Sequence, residues 1–122
     1  MVGAYFSGLL GCITMKLKVK PLSVNEVWQG RRYKTDTYKT YETLLLYMLP
    51  KTIYTNLGDK LRLKICFGMS SKASDIDNPV KPFIDILSKK YGFNDKNIYK
   101  LEVEKRITEK EQEYIEFEIK KV

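Results

Sequence analysis

The sequence predicts an α/β (α+β) domain: one mixed four-stranded sheet carrying two helices, in the order strand, helix, strand, helix, strand, strand. Three observations predict it. Four segments alternate apolar and polar residues with period two, two segments space their apolar residues at helical intervals, and the two kinds are interleaved. At 122 residues, one domain of this kind buries a core without help from disulfides or a structural metal.

Taken in order, MKLKVK sets Leu17 and Val19 against Lys16, Lys18 and Lys20, which reads as a strand with one buried face. DTYKTYETLLLYML places Tyr38, Tyr41, Leu44, Leu45 and Met48 on one helical stripe and stops before Pro50. LRLKICF puts Leu61, Leu63, Ile65 and Phe67 on a common face. NPVKPFIDILSKKYG has Asn78 as N-cap, Pro79 at the first helical position, Gly92 past the end, and a stripe of Val80, Phe83, Ile84 and Leu87. IYKLEVEKRI sets Tyr99, Leu101, Val103 and Ile107 on one side, and EYIEFEI does the same with Ile115, Phe117 and Ile119. The polar TEKEQ between these last two predicts an antiparallel hairpin.

Residues 1–14, MVGAYFSGLLGCIT, carry no charged side chain and stand apart from the rest. They are shorter than the roughly 20 residues that span a bilayer. They also lack the basic start and clear cleavage site of a signal peptide. The expectation is an extension of residues 1–14 ahead of a functional domain of residues 15–122.

Composition narrows the chemistry. There are 22 Lys and Arg against 15 Asp and Glu, a net charge of +7, which favours a polyanionic partner. Nucleic acid ranks ahead of a membrane because no basic amphipathic helix is visible. Cys12 and Cys66 are isolated, which fits free thiols in a reducing cytoplasm. Histidine is absent. That excludes Ser-His-Asp and Cys-His catalysis and His-ligated zinc, so any hydrolysis rests on carboxylates, lysines or an oxygen-bound metal.

Against this basic background, SDIDNPVKPFIDIL gathers Asp75, Asp77 and Asp85 around a helix start. An extended link would turn Asp75 and Asp77 to one side. Lys81 and Asp85, four apart, are neighbours on the polar helix face. Asp95 precedes the third strand, and if that strand lies beside the second, Asp95 returns close to Asp75 and Asp77. Two carboxylates about 4 Å apart repel by roughly 4 kcal/mol at an effective dielectric near 20, so three need a proton or a cation. Hard oxygen ligands select Mg²⁺ or Mn²⁺. The same string also reads as an Asx turn with a helix cap and a solvated Lys81–Asp85 pair. Spacing alone leaves both readings open.

Asp75-Ile76-Asp77-Asn78-x-x-Lys81-x-x-x-Asp85-x-Leu87, followed by Gly92-Phe93-Asn94-Asp95-x-x-Ile98, resembles the signature of the RusA family of Holliday junction resolvases. Pro21-Leu22-Ser23-Val24-Asn25 and Gly30-Arg31-Arg32-Tyr33-Lys34-Thr35, with Tyr38, Lys39 and Tyr41, are similar to the family's first loop and helix. The likeness runs from about Met15 to Ile119. It implies a homodimeric, Mg²⁺-dependent crossover junction endodeoxyribonuclease acting in DNA recombination and repair, of a kind frequent in phages and prophages. By position it assigns Asp75, Asp77 and Asp95 as catalytic metal ligands and Lys81 as the essential lysine. Asp85, Asn78 and Asn94 take supporting places. Asn94 stands where the family usually has the first of two adjacent aspartates.

Arg31, Arg32 and Lys34 beside Trp28 and Tyr33 combine charge with aromatic faces, a combination suited to phosphate contact and base stacking. Lys72, Lys89 and Lys90 are further candidates for phosphate contact, although lysines near a helix C-terminus also answer the helix dipole. Two other functions compete with junction resolution: a DNA-binding protein of the same fold that has lost catalysis, and a nuclease of flaps or other branched DNA.

Overall fold

The computed structural model describes residues 4–9, 12–30, 33–50 and 60–121, with side chains from residue 14 onward. Among the described residues seven strands and two helices follow one another: β1 (Ala4–Leu9), β2 (Cys12–Leu17), β3 (Trp28–Gln29), β4 (Tyr33–Lys34), α1 (Asp36–Met48), β5 (Leu61–Met69), α2 (Val80–Tyr91), β6 (Ile98–Ile107) and β7 (Tyr114–Lys121). Short 3₁₀ turns occupy Val24–Glu26 and Asp95–Asn97. The four expected strands and both helices are present, and the fold is α+β as the patterns require.

The sheet runs in the order β1-β2-β7-β5-β6, mixed, with β5 and β6 parallel and the remaining pairs antiparallel. Ala4–Leu9 adds a fifth strand, and β2 starts at Cys12 instead of within MKLKVK. The expected hairpin between the last two strands is not formed. β5 lies between β6 and β7, and the chain leaving β6 crosses the end of β5, where the Thr108 amide donates to the Met69 carbonyl at 2.8 Å. The reason lies in β5 itself. Leu61, Leu63, Ile65, Phe67 and Met69 are all buried, and a strand so apolar is best covered from the middle of a sheet.

The core fills one face of that sheet. Phe83 of α2 is completely buried, with its ring edge-on to Phe67 at 6.1 Å and to Phe117 at 5.4 Å between centroids. Tyr38, Tyr41 and Leu45 seat α1 on the same core; Leu44 is exposed and Met48 half-buried, because the buried stripe follows 38, 41, 45 and 49. The opposite sheet face carries Lys16, Arg62, Lys64 and Glu118, with Arg62 bridging Glu102 at 3.5 Å and Glu118 at 4.0 Å.

Local chemistry places the helix ends. The Thr35 hydroxyl accepts from the Tyr38 amide at 3.0 Å and caps α1. Gly92 ends α2 in the left-handed region at φ 73°, its amide on the Ser88 carbonyl at 2.8 Å. The start of α2 differs from expectation. Pro79 occupies the cap with no side-chain bond, and Asn78 lies one residue further out.

β6 also departs from the reading of its alternation. It is an edge strand, and a register shift at Leu61–Arg62 leaves Tyr99 as an extra residue. Tyr99, Leu101 and Ile107 are exposed, not buried. Period two gives the phase of a strand, and the cover over its face depends on position in the sheet.

Phe83→Ala should lower unfolding free energy by about 3–5 kcal/mol, read as a fall in the urea midpoint at unchanged slope. A loss below about 1 kcal/mol would show that the three rings do not anchor α2.

Candidate active site

The segment after β5 is a succession of turns. The Ser74 amide donates to the Ser71 carbonyl, that of Asn78 to Asp75 at 3.3 Å, and that of Val80 to Asp77 at 3.2 Å. Asp75 and Asp77 therefore lie on a hydrogen-bonded turn, not on the extended link that alternation assumed. Both are exposed. The Asn78 carbonyl accepts from the Val24 amide at 2.7 Å, which ties the first loop to this acidic turn.

Lys81, on the first turn of α2, is the electrostatic centre. Its ammonium lies 2.7 Å from Asp95 Oδ2 and 2.9 Å from Asp85 Oδ1. The hydrogen bond from Lys81 holds the Asp95 carboxyl below the usual aspartate range. Bonds to Asp95 first, and Asp85 second, hold Lys81 above the usual lysine value. All three side chains are substantially exposed, so solvent screens the pairing. The depressed Asp95 favours the folded state above its unfolded pKa, and that contribution disappears as pH falls through its folded value. The raised Lys81 contributes below its unfolded pKa and ceases to as pH rises through its folded value.

The acidic groups divide between two depressions with no lining residue in common. Asp75 and Asn78 line one of about 330 Å³, with Lys20, Ser23, Glu26 and Glu113. Asp85, Asn94 and Asp95 line another of about 400 Å³ alongside the C-terminal half of α2. Topology accounts for the division. Because β5 and β6 are parallel, residues after β5 and residues before β6 belong to opposite ends of the pair. The chain turns back at Gly92, and Asp95 reaches as far as Lys81. Strand adjacency by itself would return Asp95 to Asp75 and Asp77 only if the neighbours were antiparallel, and β5 and β6 are parallel.

All the polar groups here are hard oxygen donors, the chemistry of Mg²⁺ and Mn²⁺ sites. Their arrangement does not gather such an ion: among the described residues no group of three His, Cys, Asp or Glu side chains is placed to hold one. Asp95 is instead occupied by a lysine ammonium. Little of the α2 N-terminus is left for an anion either. Pro79 and Pro82 have no N–H, and that of Val80 is on Asp77. Positive charge at this end comes from the Lys81 side chain. Asn94 accepts from the Lys96 amide at 3.0 Å and closes the turn before β6.

Of the basic candidates, Lys34 stacks its ammonium 4.2 Å from the Trp28 ring and 4.4 Å from the Tyr38 ring. Trp28 is 48% exposed, so it does not cap the core. Arg31 and Arg32 lie outside the described residues. Lys72 is exposed on the loop before Asp75. Lys89 pairs with Glu42 at 3.3 Å, and Lys90 donates to the Leu46 carbonyl at 3.0 Å, so both fasten α2 to α1.

One residue escaped the sequence reading. Lys105 of β6 donates to the Ser74 carbonyl at 2.7 Å and the Lys72 carbonyl at 3.2 Å, gripping the loop that carries Asp75. The available signal was a lysine on the apolar side of a strand, at the position paired with Phe67.

Two outcomes follow. In a carbon-13 NMR titration the Asp95 carboxyl should protonate below an ordinary aspartate, and Lys81→Met should return its midpoint to the ordinary range. An unchanged midpoint would contradict the pairing. Lys105→Met should speed amide exchange at residues 72–77 with little change in global stability, whereas exchange like that of the unaltered chain would remove Lys105 as the anchor.

Comparison with protein families matches residues 18–120 to RusA, described as Endodeoxyribonuclease RusA. Among curated proteins, none matches. The matched span covers most of the chain and includes β5, α2 and β6 entire and all but the last residue of β7. With the acidic turn, Lys81 and Asp95 all inside it, this chain belongs to the RusA endodeoxyribonuclease family.

Proposed function

We propose that this chain is a Mg²⁺-dependent endonuclease that resolves four-way DNA junctions by paired, symmetric nicks, working as a homodimer through its residues 15–122. The observation that carries the reading is the family motif folded around Lys81: one cation shared by Asp85 and Asp95, on the helix that begins directly after the Asp75–Asp77 turn. The family's members cleave DNA, and a basic chain without histidine needs carboxylate and lysine chemistry to do so.

The family resemblance assigns the ion to Asp75, Asp77 and Asp95, with Mn²⁺ suited to the same donors, although Asp75 and Asp95 line different depressions in the single chain. A hard divalent ion bound there supplies positive charge to the scissile phosphate and lowers the pKa of water. The chain's own part is positional. Lys81 brings an ammonium to the start of α2, where it meets negative charge on phosphate oxygens. Lys105 fixes the backbone before Asp75. Asp85 shares the Lys81 charge and holds that side chain along the helix. Arg31, Arg32, Lys34 and Lys72 are the phosphate contacts, while the ammoniums of Lys89 and Lys90 are engaged with α1. The setting is the cytoplasm of a bacterial cell, with the gene of cellular, prophage or phage origin. No helix among the described residues is long and apolar enough to cross a membrane.

A second reading has its own observation. Asn94 brings no charge, and no three acidic side chains converge among the described residues. These favour a protein that binds junctions without cutting them. A labelled four-way junction, incubated with and without Mg²⁺, separates the two. The nuclease gives metal-dependent paired products, and Asp77→Asn lowers their rate by more than about 100-fold, beyond the usual effect of an outer-shell partner, with junction binding kept. Salt-sensitive binding without metal-dependent products would select the second reading.

A further inference from the structure

The open rings of the β3–β4 hairpin are the feature that core and acidic site leave unexplained. Trp28 and Tyr33 are 48% and 73% exposed there. Rings of that size ordinarily find cover. The hairpin that carries them is nonetheless firmly seated. Val27, just before it, is buried in the core. Thr35, just after it, donates its amide to the Val27 carbonyl at 2.9 Å and its hydroxyl to the Glu26 carbonyl. The Val24 amide joins the same loop to Asn78, beside the acidic turn, at 2.7 Å.

Trp28 is also held from behind. Paired residues of an antiparallel ladder share a face, so Lys34 stands beside Trp28 while Gln29 and Tyr33 take the other face. The Lys34 ammonium lies 4.2 Å from the Trp28 ring centre and 4.4 Å from that of Tyr38, which is buried on α1. A line of contacts thus runs from the core through a cation to a half-open indole. Burial first, then the charges of Glu42 and Asp85, raise the Tyr38 hydroxyl above its ordinary pKa, so Tyr38 lies within electrostatic reach of the acid paired to Lys81. Tyr33 is open on the other face, and among the described residues no cation or ring backs it.

We propose that Trp28 is a stacking platform for a nucleobase left uncovered at a DNA branch point, and that this contact selects branched DNA over continuous duplex. A base inside a duplex has neighbours on both faces and offers no ring to an indole. Where strands exchange, the last base of each arm can present a free face, and stacking on an aromatic ring needs only that face. Phosphate contacts cannot make the distinction, because both DNA forms carry the same backbone charge. The seated hairpin and the cation behind the ring fix Trp28 before DNA arrives, so little side-chain freedom is lost on stacking. Lys34 then serves twice, backing the ring and offering its charge to phosphate. The inference rests on the junction reading above and adds what selects the substrate.

Trp28 is the single tryptophan of the chain, so its fluorescence reports the contact directly. The full chain, in buffer without divalent ions, is titrated with a four-way junction and with a continuous duplex of equal strand length. Anisotropy of labelled DNA follows binding separately. At saturation the junction is expected to quench the tryptophan signal, and the duplex to leave it nearly unchanged. Trp28→Ala is expected to weaken junction binding about tenfold, with duplex binding unaltered, and Trp28→Phe to recover most of the loss. Equal quenching by both DNAs, or a Trp28→Ala variant that keeps its full preference for the junction, would overturn the platform and leave junction resolution standing. An unaltered chain that binds both DNAs equally and cuts neither in Mg²⁺ would overturn the junction reading and the platform together. If Trp28→Ala loses its circular dichroism spectrum, quenching in the unaltered chain decides: quenching by the junction alone supports the platform, and its absence overturns it.

Discussion

Everything at the candidate site depends on how β5 is held. Among the strands with described side chains it is the most buried; it is paired on both sides, and the chain leaves it only to return in parallel as β6 after crossing through α2. That crossover fixes where each acidic residue can be. Asp75 and Asp77 follow β5, Asp95 precedes β6, and α2 spans the distance between the two ends of the pair. Lys81 is the side chain that makes the connection, because it starts at one end of the helix and its ammonium meets Asp95 coming back from the other. The Phe67, Phe83 and Phe117 rings keep α2 against the sheet, so core packing and site geometry share one support.

Much of this was legible from residue order. The alternation in LRLKICF and EYIEFEI gave two strands whose apolar residues are all buried, and the spacing around Phe83 gave α2 with its polar face outward. Local patterns failed where the answer depends on neighbours. TEKEQ reads as a hairpin connection, yet pairing is decided by which strand has two apolar-flanked edges to satisfy, and that strand is β5. The row at Leu101 and Ile107 alternates like a buried face; its exposure follows from edge position, which a period of two does not encode. Asn78 has good capping chemistry, but the turns from Asp75 to Pro79 had already taken the backbone where a cap would lie.

The site was legible in its membership more than in its geometry. The spacing on α2 anticipated Lys81 beside Asp85, but Asp95 was expected with Asp75 and Asp77, and its carboxylate meets Lys81 instead. The motif did not reveal that Asp75 lines a different depression, with Glu26 and Glu113, because parallel topology separates the two ends. Nor did it show Lys105, whose part depends on a contact across 31 positions to Ser74. Because the Lys81 ammonium contacts Asp95, an ion drawing on that carboxylate, as proposed, would have to compete with Lys81 for its oxygens.

Binding of Mn²⁺ followed by NMR tests the central claim most directly, since the paramagnetic ion broadens signals from nuclei close to it. The account predicts that amide signals of Asp75, Asp77 and Asp95 broaden together at low Mn²⁺ and recover when Mg²⁺ is added in excess. Broadening confined to one of the two segments, or absent from both, would contradict the proposed assignment of all three carboxylates to the ion.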